Sequence, residues 1–184
     1  MTLVKADYWD DLALRFPLQY SNQIQSNANS MSLEPALVFG LMRQESMLDS
    51  KAMSAVGARG LMQIMPETGK EIARELNDSW QTANSLFIPD INIRYGTFYF
   101  KRLLNQFDGH FALATAAYNA GPSRVNKWLS ADRSLPADVW VETIPFKETR
   151  KYVSSVLAYT IIYQQRLQGK ALKMHELLPD MTQH

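Results

Sequence analysis

Cysteine is missing from the chain altogether, which excludes disulfides, a thiol nucleophile and cysteine-ligated zinc. Histidine is scarce: His110, His175 and His184 are scattered, with no metal-ligand spacing such as H-E-x-x-H. No G-x-S-x-G elbow, no G-x-x-x-x-G-K-[ST] phosphate loop and no acidic calcium loop of the EF-hand kind occurs. An excess of one charge is also lacking. The formal net charge is +1, with acidic and basic residues interspersed, too balanced for strong attraction to nucleic acid or a membrane surface. No apolar run is long enough to span a bilayer. The start, Met1-Thr2-Leu3-Val4-Lys5-Ala6-Asp7, lacks a signal peptide's apolar centre and cleavage site. A chain that stays inside the cell and an excised part of a longer protein are both compatible with that start. The expectation is therefore no metal, no cofactor, no nucleic-acid partner and no transmembrane segment.

What is present suits one domain with a real core: 184 residues, 46% hydrophobic and 20% charged. Residues 1 to about 16, with Tyr8, Trp9, Leu12, Leu14 and Phe16, read as a strap packed on the domain, and a helix follows from Pro17 to about residue 30. The spacing predicts helices from Pro35 to about Leu48 and from Pro66 to about Leu76, each opened by a proline where a missing N–H is tolerated. Asp90 is expected to cap a helix over roughly 91–107, with Ile93, Phe100, Leu103, Leu104 and Phe107 facing the core. An alanine-rich helix is expected from Phe111 to Ala120, stopped by Gly121-Pro122. Ser123 is expected to cap a short helix to Leu129, and residues 131–145, with two prolines, look irregular. The longest helical pattern runs from Lys147 to Gln168 and ends at Gly169. The fold class is thus mainly α, with at most a few short strands.

Glu45 is the most informative residue. Leu37 and Leu41 precede it by eight and four positions, so all three share one helix face. A carboxyl group beside leucines is partly desolvated, and desolvation favours the neutral acid. A raised pKa of about 6, as for a catalytic glutamate held in an apolar pocket, suits a general acid near neutral pH. The alternative is an edge ion pair with Arg43, Arg59 or Lys51. The loop after this helix holds Ser54, Gly57, Gly60, Met62 and Gln63. Its glycines allow close backbone approach, and Ser54 and Gln63 offer the neutral hydrogen bonds that sugar hydroxyls and N-acetyl groups need. For Met62, core packing competes with ligand contact. Tyr118 and Asn119, near the end of the alanine-rich helix, need polar partners, whether structural or in a ligand. Glu142 to Arg150, with Tyr152 beyond, forms a further cluster that can equally be a solvated turn.

Together these segments resemble the soluble lytic transglycosylases. The matching residues are Arg43-Gln44-Glu45-Ser46, Ser54 to Pro66, Asn92-Ile93 with Gly96, Ala116 to Pro122, and Glu142 to Arg150 followed by Tyr152-Val153. Order and spacing agree over about residues 33–168. Trp9-Asp10-Asp11-Leu12 with Arg15-Phe16-Pro17 looks like the lead-in of the large envelope members, which implies a C-terminal part of a longer protein. The resemblance divides the chain into a lead-in at 1–32, a catalytic domain at 33–168 and a tail at 169–184.

The resemblance implies a lysozyme-like, goose-type fold. It implies Glu45 as the catalytic acid, with Ser54, Met62, Gln63, Tyr118, Asn119, Glu142 and Tyr152 lining a glycan cleft. The implied enzyme is a peptidoglycan lytic exotransglycosylase, a murein lyase acting in the periplasm or cell envelope beside other envelope proteins; whether it starts at strand ends or cuts internally stays open. It would cleave the bond between N-acetylmuramic acid and N-acetylglucosamine and leave a 1,6-anhydro end. Two rivals remain: a muramidase of the same fold, with Asp49 or Glu142 as second carboxylate, and a non-catalytic glycan-binding module.

Overall fold

The computed structural model describes residues 12–129 and 135–168. Proline sets the start of several helices, because its fixed φ and missing N–H suit the first turn. Helix α1 spans Leu12–Arg15 and α2 Ser21–Ser30; α3 begins at proline and spans Pro35–Ser46, as does α4, Pro66–Glu75. A 3-10 turn at Ala83–Phe87 leads into α5, Pro89–Gln106. Then follow α6 at Phe111–Ala120, α7 at Pro122–Leu129, α8 at Ala137–Thr143 and α9 at Lys147–Gln168. Between α3 and α4 the only β pairing among the described residues is two isolated antiparallel bridges, Met53 with Arg59 and Arg59 with Ile64. The mainly helical expectation holds.

The boundaries correct the sequence reading in four places. The helix expected from Pro17 starts at Ser21, because Tyr20 sits in the left-handed region at φ 60° and breaks the helical path. Asp90 is not a cap. Pro89 occupies the first turn and Asp90 follows it, where a carboxylate still meets the positive end of the helix dipole. Pro122 rather than Ser123 opens α7. Residues 137–143, expected to be irregular, form α8, whose Trp140 and Val141 are buried; Pro136 stands before the helix and Pro145 after it, so neither interrupts it.

The packing centres on α3 and α9, which make the most extensive helix pair. Buried along α3 are Ala36, Val38, Phe39, Gly40, Leu41 and Met42. Opposite them α9 buries Tyr152, Val153, Val156, Leu157, Thr160 and Tyr163. Phe39 stacks on Tyr163 with ring centroids 4.8 Å apart. Gly40 lets the two backbones approach. A Cβ there would overlap Thr160 Oγ1 and lie 3.1 Å from both the Thr160 nitrogen and the Val156 oxygen. The alanines of α6 are buried nearly throughout, so α6 fits closely between α5, α7 and α9. Of the expected core residues, Ile93, Phe100, Leu103 and Leu104 on α5 and Phe107 just past its end are all buried.

The described end of the strap is held by Phe16. Its ring is buried, packs on Tyr159 and Tyr163 at 5.9 and 5.8 Å, and lies under the Arg43 guanidinium at 5.2 Å. Arg166 donates to the Phe16 carbonyl. Leu14, expected to pack, is 58% exposed. Tyr8, Trp9 and the tail after Gln168 lie outside the described residues.

Gly40→Ala is expected to destabilise the fold by about 1–3 kcal/mol, the range for overpacking a tight core. The measurement is the urea midpoint at unchanged m-value; an unshifted midpoint would show that α3 and α9 can separate freely at this point.

Candidate active site

Glu45 stands in the last turn of α3, which ends at Ser46; Met47 and Leu48 follow in the left-handed region at φ 54° and 71°. This turns the chain away sharply and leaves the Glu45 side chain facing α9. The residue is half-buried. Burial pushes its carboxyl group up to about 7, against a smaller lowering by the hydrogen bond from Tyr152. Tyr152, on α9, is itself buried, and its hydroxyl donates to Glu45 Oε1. The cations offered as ion-pair partners are largely engaged elsewhere: Arg43 lies over Phe16, and Arg59 donates to Asn84 Oδ1 at 2.7 Å and stacks over Phe87.

A second phenol stands close by. Burial, then the charge of Glu45, raises the Tyr118 hydroxyl well above its usual range. Burial and Glu45 do the same to Tyr152, with a further contribution from Tyr118. Both phenols therefore stay protonated at neutral pH and act as donors. Tyr118 donates to the Met62 carbonyl at 2.9 Å, and its ring leans on Tyr99 at 5.3 Å. Glu45, Tyr118 and Tyr152 thus form one cluster drawn from α3, α6 and α9.

The loop after α3 is held rigidly. Ser54 Oγ accepts the Ala58 N–H at 3.0 Å. Gln63, at φ 47°, donates its amide to the carbonyls of Ala52 and Gly60 at 3.1 and 2.8 Å. Ser46 Oγ donates to the Leu61 carbonyl at 2.8 Å, tying the loop to the turn beside Glu45. Met62 has its side chain fully buried, so the core-packing alternative describes that side chain, while its carbonyl belongs to the cluster. Ser54 and Gln63 are half-buried; the Ser54 hydroxyl proton and the Gln63 side-chain oxygen take no part in those bonds.

The remaining expected residues lie around this cluster in different ways. Asn119 Oδ1 accepts the Thr149 hydroxyl at 2.7 Å, fixing the end of α6 to the start of α9. Glu142 is exposed, 3.9 Å from Arg150. Asp49, the other possible second carboxylate, is exposed and accepts the Lys51 N–H at 2.8 Å. The sequence reading missed Thr149 and Ser46 as partners. Ser46 stood beside Glu45 in the quoted motif, but nothing in one chain points to a carbonyl fifteen positions on. An open depression of about 670 Å³ elsewhere on the surface is lined by Glu67, Lys70, Glu71, Arg74 and Trp80 among others. Among the described residues no group of three or more His, Cys, Asp or Glu gathers as a metal site.

Residues 22–141 match the family model described as transglycosylase SLT domain. Residues 143–171 match a second, described as soluble lytic transglycosylase helical domain. The chain is 39% identical over 169 residues to the soluble lytic murein transglycosylase of Escherichia coli, an alignment covering 90% of this chain and 26% of that protein. It superposes on an inactive mutant of lytic transglycosylase Slt from Pseudomonas aeruginosa with a TM-score of 0.84 and 43% identity, covering 98% of this chain and 28% of the other. The 70 kDa soluble lytic transglycosylase of E. coli gives a TM-score of 0.88 at 35% identity, covering 95% and 29%. The chain thus spans little more than a quarter of the length of these relatives.

The raised Glu45 pKa has a consequence for stability. Between the ordinary carboxyl value and about 7 the folded state holds a proton that the unfolded state has released, so stability contributed by the neutral group is lost as pH rises through that window. Glu45→Gln removes this loss. It is expected to be near-neutral at pH 4 and stabilising by on the order of 2–3 kcal/mol at pH 8, measured by urea denaturation at both pH values. An equal effect at the two would mean that Glu45 titrates normally. Tyr152→Phe deletes a bond that favours the carboxylate, so it is expected to raise the Glu45 pKa above the wild-type value, read by ¹³C NMR of the side-chain carboxyl.

Proposed function

The chain belongs to the transglycosylase SLT family, and from that premise we propose that it cleaves peptidoglycan glycan strands as a lytic transglycosylase with Glu45 as its single catalytic carboxyl group. The observation that carries this reading is a half-buried carboxyl pushed up to about 7 and held by a phenol. Such a group is protonated often enough to act as an acid at neutral pH and ionised often enough to act as a base.

In the first step the neutral Glu45 protonates the oxygen between N-acetylmuramic acid and N-acetylglucosamine. That bond breaks, and the N-acetylglucosamine side leaves with the proton. Positive charge develops at the muramic anomeric carbon, where the sugar's own N-acetyl oxygen attacks, as in substrate-assisted glycosidases. In the second step the Glu45 carboxylate takes the proton of the C6 hydroxyl, and that oxygen closes on the anomeric carbon. The N-acetyl group is released, Glu45 is again neutral, and the product carries a 1,6-anhydro ring. The attacking oxygen belongs to the same sugar, so its effective concentration far exceeds that of a free reactant. Tyr152 steadies the carboxylate between the steps. Ser54 and Gln63 orient sugars through the polar atoms their loop leaves over. Tyr118 and Asn119 border the cluster from α6, and Glu142 serves at the rim.

The catalytic unit extends through α9 to residue 168, because α9 packs along α3 and supplies Tyr152. Residues 1–32 act as lead-in and 169–184 as tail. The site of action is the cell envelope, in the periplasm. Among the described residues no helix is long and apolar enough to cross a membrane. The muramidase alternative needs a second carboxylate across from Glu45 with room for water; the exposed positions of Asp49 and Glu142 disfavour it.

Glu45→Gln is expected to lower turnover of purified sacculi by about a thousandfold or more with folding intact by circular dichroism. Mass spectrometry of the wild-type digest is expected to show muropeptides lighter by one water than hydrolysis products. Reducing ends would instead identify a muramidase, and near wild-type activity in the variant would remove Glu45 from its role.

A further inference from the structure

Asn92, on α5, has no exposed surface and no part in the chemistry proposed above. Its amide group nevertheless makes three hydrogen bonds to the loop and its surroundings, with both N–H donors engaged. Oδ1 accepts the Met62 N–H at 2.7 Å. Nδ2 donates to the Arg59 carbonyl at 2.8 Å and to the Leu86 carbonyl at 2.7 Å. One side chain thus fixes both limbs of the turn at residues 59–64 and the end of the 3-10 segment. Glycine leaves the space for it: a Cβ on Gly60 would overlap the Leu86 carbonyl oxygen and lie 2.5 Å from Asn92 Nδ2. One turn further along α5, Gly96 accepts the Met62 side chain, which a Cβ would overlap.

Met62 is held at both ends of its peptide groups. Its N–H is on Asn92, and its carbonyl takes the Tyr118 hydroxyl. That hydroxyl is a donor within the electrostatic reach of Glu45. While the Met62 carbonyl occupies it, Glu45 receives its hydrogen bond from Tyr152.

We propose that Asn92 is a positioning residue for the reaction, acting through the Met62 peptide to keep the Tyr118 hydroxyl off the Glu45 carboxyl group. This rests on the reading of Glu45 as the acid and base. The titratable groups facing Glu45 are Tyr152 from α9 and Tyr118 from α6. If the Met62 carbonyl is displaced, the Tyr118 proton is free to turn to the carboxylate. A second donor favours the charged form, and Glu45 becomes a weaker base and a scarcer acid.

The test is a double-mutant cycle on the folded protein, using wild type, Asn92→Ser, Tyr118→Phe and the double variant. Two quantities are read: the Glu45 pKa by ¹³C NMR, and kcat and KM on isolated glycan strands. Asn92→Ser is expected to lower the Glu45 pKa, to move the alkaline limb of the pH profile to lower pH, and to reduce kcat roughly ten- to hundredfold with KM within about twofold. In the Tyr118→Phe background the same substitution is expected to leave the Glu45 pKa unchanged, since no hydroxyl is there to release. A folded Asn92→Ser protein with the wild-type Glu45 pKa, or an equal shift in the presence and absence of the Tyr118 hydroxyl, overturns the proposal. Should Asn92→Ser fail to fold, Gly60→Ala displaces the same amide from the other side and carries the same expectation. The NMR readout keeps the two readings apart: an active Glu45→Gln enzyme defeats the catalytic assignment, while the pKa cycle still decides the role of Asn92.

Discussion

The structure depends on keeping one carboxyl group out of water without giving it a cationic partner. Glu45 meets a phenol, not an ammonium or guanidinium, and its pKa stays about 7 because burial outweighs the single hydrogen bond it receives. An adjacent arginine would hold the group ionised and end its usefulness as an acid. Much of the local architecture serves that balance. The tight contact of α3 and α9 at Gly40 brings Tyr152 to Glu45, and the small residues of α6 bring Tyr118 to the same place. Arg43, two positions from Glu45, is drawn aside over Phe16.

The loop between α3 and α4 contributes through its backbone more than through its side chains. Met62 is the clearest case: its side chain fills the core against Gly96, and its carbonyl takes the Tyr118 hydroxyl. Ser46 and Gln63 likewise use their polar atoms on loop carbonyls. A segment fastened at so many points offers ligands a preset surface, so little ordering entropy remains to be lost when a substrate settles on it.

Much of the fold was legible in the sequence where local chemistry decides. The α6 and α9 boundaries agree with the spacing because apolar periodicity is strong and Gly121 ends α6 at φ 88°. The failures were also local. Proline opens α3 and α4 where the sequence predicts it, and also α5 and α7, where the neighbouring Asp90 and Ser123 are the expected caps. Near α8, Pro136 and Pro145 make the sequence look irregular, although they stand outside the helix they frame. The five-residue turn at Ala83–Phe87 is too short to leave a periodic trace. At the site, the partial burial of Glu45 could be read from Leu37 and Leu41, of which Leu41 is fully buried and Leu37 only partly. The bond of Glu45 to Tyr152 could not, since the partners are 107 positions apart and only the packing of α3 on α9 joins them. The same holds for Asn92, whose three partners lie in segments that no pattern links.

That long separation has a consequence for how the molecule comes into being. Glu45 leaves the ribosome 107 positions before Tyr152, so the carboxyl group is delivered well before the phenol that tempers it. Until α9 docks, no intermediate possesses the finished constellation. A domain assembled in this order lacks its tempered carboxyl group throughout its own biogenesis, and gains it only on closing.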